Sequence, residues 1–95
     1  VVSCGWDKRP WEGKSPEGLW NTPLGDYYTG DTPQVFGKFF SDAVTWVNEN
    51  PDKTVPEKIV LVYAWNELGE GGYLVPTKAD PSAKKLKEIK KAVFK

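Results

Sequence analysis

Apolar positions along the chain fall into blocks whose internal spacing sets the element each one forms. Val1 to Trp6 is a short apolar run that reaches Gly5, the pattern of a buried strand over 1–6 that opens into a loop. Thr32-Pro33 pairs a capping hydroxyl with a proline at the first helical position, where a missing N–H is harmless. Phe36, Phe40, Ala43 and Val47 then recur at four-three-four spacing, with Val35, Phe39 and Val44 widening the stripe. This predicts a helix over 33–50 that stops at Asn50-Pro51. Lys58 to Trp65 is continuous and β-branched rather than alternating, which predicts a central parallel strand over 58–65 covered on both faces. Asp80-Pro81 repeats the cap-and-proline signal, and Leu86, Ile89 and Val93 predict a second amphipathic helix over 81–95.

Two polar stretches separate these elements. Between Asp7 and Gly30 the chain holds Pro10, Pro16 and Pro23, four glycines, and Trp11, Trp20, Tyr27 and Tyr28. A long loop over 7–30 so rich in aromatics reads as a binding segment or lid; a disordered linker, the other reading, is poor in such residues. A second loop, 66–80, follows the central strand. The order strand, loop, helix, strand, loop, helix is two βα units, with parallel strands and right-handed crossovers expected. Two strands cannot form a whole sheet without exposing a backbone ladder. The expected fold is therefore α/β: the last two βα units of a (β/α)₈ barrel, which needs roughly 250 residues, so that 1–95 makes up about a quarter of it.

Composition narrows the classes further. Thirteen basic and thirteen acidic side chains cancel, which argues against a nucleic-acid binder. Ile59 to Trp65, the longest apolar run, is too short for a membrane span. With Cys4 alone and no histidine, a zinc site has almost no ligands to draw on, and neither a metal nor a cofactor is expected. The absence of methionine and the direct opening on Val1-Val2 predict a piece of a larger protein. Its expected partners are the remainder of the barrel, or another copy of the chain. Five tryptophans in 95 residues exceed what so small a core needs, so some are expected to face a ligand or partner.

The candidate chemistry lies in Trp65-Asn66-Glu67-Leu68-Gly69-Glu70-Gly71-Gly72-Tyr73, where the central strand gives way to its loop. Functional groups of α/β barrels project from this end of the strands, and glycines let the backbone approach a ligand. Two carboxyl groups converging in one cleft, Glu67 and Glu70, are the minimum equipment for cleaving a glycosidic bond: one protonates a leaving oxygen while the other works ionised. Asn66 can orient a carboxylate or bind a sugar hydroxyl. Trp65, Trp6, Trp11 and Tyr73 offer apolar faces to sugar rings. Asp7 can accept hydroxyls and Arg9 can pair with a carboxylate, or the two can simply brace the loop. The spacing alone also admits solvated or capping glutamates, or a carboxylate calcium site. The glycine cluster lacks the lysine and helix of a phosphate loop. Trp46 reads as structural, Cys4 as a small buried hydrophobe, and lysines 84, 85, 87, 90, 91 and 95 as a solvated helix face.

The run AWNELGEGGYLVPT, with CGWDKRP and YTGDTP upstream, resembles the C-terminal end of glycoside hydrolase family 99-like barrels and the related WbsX-type bacterial proteins. The likeness covers essentially the whole chain. It places Glu67 on the first glutamate of the family's Asn-Glu-aromatic-x-Glu-Gly motif and Glu70 on the second, with Leu68 where the family usually has an aromatic residue. It implies that Glu67 acts as base on the substrate's own 2-hydroxyl and Glu70 as acid and then base, with retention through an anhydrosugar. An oligo- or polysaccharide substrate and a secreted or periplasmic setting are likewise implied. A non-catalytic carbohydrate-binding protein, or one of polysaccharide biosynthesis, is the alternative.

Overall fold

The computed structural model describes residues 1–7, 28 and 31–94. Apart from Asp7 and Tyr28, the loop expected over 7–30 lies outside the described residues. Strand β1 (Val2–Ser3) pairs in parallel with β2 (Val62–Tyr63), Val2 opposite Val62 and Ser3 opposite Tyr63. Backbone hydrogen bonds from Val2 N to Leu61 O and from Cys4 N to Tyr63 O, both 2.8 Å, fix this register. Helix α1 (Pro33–Glu49) makes the crossover between the two strands. It begins as its sequence requires, with Thr32 Oγ1 accepting the Val35 N–H at 3.2 Å and proline in the first turn. It ends where Asn50 donates through its backbone N–H and its side-chain amide to the carbonyl of Trp46.

The inward stripe of α1 meets the strands. Val2, Cys4, Phe36, Phe40 and Leu74 form the buried core, with Ala43, Val44, Val60, Val62, Ile89 and Ala92 packed around it. The Phe36 and Phe40 rings lie 6.2 Å apart at 41°, a tilted pair. Val35 and Phe39, which widen the stripe in sequence, stay exposed. With Val2, Tyr28 and Ala43 they line an apolar groove of ≈ 620 Å³.

Three expectations are corrected. The central strand is not covered on both faces: Ile59, Leu61 and Trp65 are 58%, 60% and 56% exposed, and among the described residues β2 pairs with β1 alone. The ladder is consequently two residues long on each strand, because a strand is defined by its partner as much as by its own β-branched run. Second, the loop 66–80 carries its own antiparallel hairpin, β3 (Asn66–Glu67) and β4 (Gly72–Tyr73), joined by a 3₁₀ turn over Leu68–Glu70.

The third correction concerns helix α2, which spans Lys84–Val93 rather than starting at Pro81. Its N-cap is Ala83, in the left-handed region, not Asp80; Asp80 Oδ2 accepts the Lys84 N–H at 2.8 Å from across a Pro81-Ser82 turn. The packed face is rotated from the expected Leu86-Ile89-Val93 stripe: Leu86 and Val93 are exposed, while Lys85, Glu88, Ile89 and Ala92 are half-buried. Gly37 of α1 makes room for this face, since a Cβ there would come within 2.9 Å of Glu88 Cβ. No helix of the described residues is long and apolar enough to cross a membrane.

Candidate active site

The site is built where β1 and β2 end side by side. Cys4 closes the ladder: its Sγ accepts the Ala64 N–H at 3.2 Å and donates to the Ala64 carbonyl at 3.3 Å. Burial pushes its thiol pKa up, partly offset by the backbone N–H of Ala64. Beyond Ala64 the chain turns into the hairpin. Leu74 N and Val75 N both donate to Trp65 O, at 2.9 and 3.3 Å, pinning the hairpin's return to the strand end.

Two glycines permit the arrangement. Gly71 ends the 3₁₀ turn in the left-handed region, φ 71°, with its N–H donating to Leu68 O at 3.3 Å. Gly5, at φ 151°, abuts it so closely that an added Cβ would overlap the Gly71 carbonyl oxygen. Residues just after β1 are thereby pressed against the tip of the hairpin. Asp7 N donates to Glu70 O at 2.6 Å across the same junction.

This junction gathers the polar chemistry. The Tyr63 hydroxyl donates to Glu70 Oε2. That hydrogen bond is the main reason the phenol pKa is pushed up to about 12, with desolvation and then the charges of Glu70 and Glu67 adding to it. The hydroxyl is thus a protonated donor at neutral pH, and both carboxylates act on it. The Tyr63 ring lies 6.1 Å from that of Trp6, inclined by 49°. Its edge fills the space over Gly72, where a Cβ would fall 2.8 Å from Tyr63 Cε1. The register sets Glu67 opposite Gly72 and Asn66 opposite Tyr73. Paired residues of a hairpin share a face, so Glu67 lies on the face toward Tyr63, and Asn66 and Tyr73 on the other.

The second face is organised by a lysine. Lys85, whose side chain is 12% exposed, donates to the Cys4 carbonyl, pairs with Asp31 Oδ2 at 3.0 Å, and holds its ammonium 5.7 Å from the Tyr73 ring centroid. It is not part of a solvated face, as the helix pattern suggested. Tyr73, Asp31, Asp80, Lys84 and Lys85 line a separate cavity of ≈ 260 Å³. Asp80 in that wall is held below its ordinary 3.8 by the Lys84 N–H, with the Ser82 hydroxyl assisting.

Of the residues singled out from sequence, Glu70, Trp6 and Asp7 meet at the Tyr63 junction, and Glu67 lies on the hairpin face turned toward it. Asn66 and Tyr73 occupy the other hairpin face, Trp65 is exposed beside it, and Arg9 and Trp11 lie outside the described residues. Among the described residues no group of three or more acidic or cysteine side chains is placed to hold a metal ion. Sequence reasoning passed over Tyr63, Asp31 and Lys85. Only Tyr63 carried a signal, since a phenol inside an otherwise apolar strand needs a hydrogen-bond partner.

The family described as glycosyltransferase WbsX matches residues 2–87. No match to the chain was found among curated proteins or among solved structures. The matched span takes in both strands, α1, the hairpin and the start of α2, and on that extent the chain belongs to the WbsX glycosyltransferase family, a family of carbohydrate-active enzymes.

Proposed function

We propose that the chain is the site-bearing part of a glycoside hydrolase-like (β/α)₈ barrel, in which β1 and β2 are neighbouring strands and Glu67 and Glu70 cleave a glycosidic bond in an oligo- or polysaccharide. The observation that supports this reading is the junction at Tyr63, at the end of a parallel strand pair, where the phenol bonds the Glu70 carboxylate and also feels the charge of Glu67. The bare apolar face of Ile59 and Leu61 supports the barrel, because it is the surface further βα units would cover.

In this mechanism Glu67 takes the proton of the sugar's 2-hydroxyl as that oxygen attacks the anomeric carbon. The bond to the leaving oxygen breaks with its electron pair, and Glu70 protonates that oxygen. Glu70, now a carboxylate, then removes a proton from water as the water opens the anhydrosugar, and the 2-oxygen regains its proton from Glu67. Trp6 supplies a ring face beside the pair, and the Asp7 N–H holds the Glu70 backbone, which sets Asp7 beside the proposed sugar site. Trp65, Asn66, Tyr73, Arg9 and Trp11 belong to the proposed sugar-binding surround.

The family's description as glycosyltransferases favours one second reading: the same pair activates an acceptor hydroxyl in place of water. Glu67→Gln and Glu70→Gln in the full-length polypeptide test both. Turnover of oligosaccharide should fall by about 10²-fold or more in each, with affinity retained; product analysis with and without an acceptor sugar separates hydrolysis from transfer. A pair of variants that turn over like the parent would refute the site.

A further inference from the structure

We infer that Tyr63 is a positioning residue for Glu70: its hydroxyl holds Oε2 so that Oε1 is the oxygen presented to the leaving group. The inference rests on the proposed function and assigns the side chain that gives the acid its orientation.

Three observations carry it. The Tyr63 hydroxyl donates to Oε2 of Glu70 and not to Glu67. A carboxylic acid carries its proton on one oxygen, and a donor on Oε2 leaves the proton to Oε1. The ring that delivers the hydroxyl is fixed on several sides. It stands on β2, whose register with β1 is set by the Val2 and Cys4 N–H groups; it packs against Trp6, and it closes the space over Gly72. Glu70 itself lies at the end of a single 3₁₀ turn, and its backbone is tied by Asp7 N to Glu70 O. Backbone ties leave the carboxyl free to rotate about its side-chain torsions, so the phenol is what orients it. Held this way, the acid is organised before substrate arrives, which is where positioning lowers a barrier. The phenol is also a steady donor, since the hydrogen bond to Glu70, then desolvation, push its pKa up to about 12.

Leaving-group dependence separates this role from a merely structural one. An acid matters most for alkyl or sugar leaving groups and least for nitrophenolate, which departs without a proton. In the full-length polypeptide, Tyr63→Phe should lower kcat roughly tenfold or more on an oligosaccharide and less than about twofold on the matching nitrophenyl glycoside, with KM little changed. In a Glu70→Gln background it should cost nothing further, because the phenol acts only through that carboxyl. Equal losses on both substrates, an additive double variant, or a Tyr63→Phe enzyme as active as its parent would each overturn the inference. Should Tyr63→Phe not fold, Tyr63→His, which returns a ring donor, must restore the leaving-group pattern seen in the parent, and its failure to do so counts equally against the assignment. A parent that cleaves neither substrate, or a Glu70→Gln variant as active as the parent, sinks the proposed function instead.

Discussion

Gly5→Ala probes the contact on which the site's geometry depends. The alanine methyl would overlap the Gly71 carbonyl oxygen and come within 3.0 Å of Asp31 Oδ2, at a φ of 151°. Backbone strain for a residue with a Cβ in such a region costs about 1–2 kcal/mol. Relieving an overlap with main chain, which cannot swing aside as a flexible side chain can, costs a further 1–3 kcal/mol or so. The expected loss is therefore about 2–5 kcal/mol, a large share of the roughly 5–15 kcal/mol that holds a domain together. Urea unfolding of the parent and the variant measures it, and the midpoint should fall while the slope stays constant. Activity should fall with it, because the hairpin must lift away from Gly5 and take Glu70 along. A variant within about 0.5 kcal/mol of its parent, the range of an ordinary surface substitution, would refute the close approach.

Further outcomes rest on four single side chains. Lys85→Met keeps the aliphatic stem but leaves the Cys4 carbonyl unpaired; it should cost about 1–3 kcal/mol in thermal or urea unfolding, whereas Asp31→Asn, removing a half-exposed partner, should cost under about 1 kcal/mol. Cys4, buried with its pKa raised above the ordinary 9.0, should resist iodoacetamide in the native protein; because the unfolded chain loses its thiol proton first, stability should be full below about pH 9 and decline above it, a slope that Cys4→Ala removes. Asp80, held below 3.8 by the Lys84 N–H, contributes stability that is present above that value and lost as pH falls through the folded pKa, so Asp80→Asn should flatten the acid limb of a stability–pH profile.

How much of this was legible in the sequence depended on whether the signal was local. Helix α1 was, because Thr32, Pro33 and the spacing of Phe36, Phe40 and Val47 act within a few residues of one another. The parallel pairing of the first and central strands followed from their order, and the location of Glu67 and Glu70 at the end of β2 followed from the glycines after it. The hairpin was not legible: its strands are two residues long, and it is held by Trp65 O and by the Gly5–Gly71 approach, contacts that local pattern cannot encode. Lys85 was hidden for a related reason. Helical periodicity favours the Leu86 stripe, but the Cys4 carbonyl and Asp31, distant in sequence, draw the ammonium inward and turn α2 about its axis. For Tyr63 the strand pattern signals only that the phenol needs a partner; that the partner is Glu70 depends on how the hairpin folds back over it.

The most direct test is a crystal structure of the full-length Glu70→Gln variant with an oligosaccharide bound. One glycosidic linkage should lie between residues 67 and 70, their side-chain carboxyl and amide carbons on the order of 5–9 Å apart, with the Tyr63 hydroxyl on residue 70 and a sugar ring against Trp6. A sugar bound away from the hairpin, or the two side chains turned to opposite faces of it, would contradict the account.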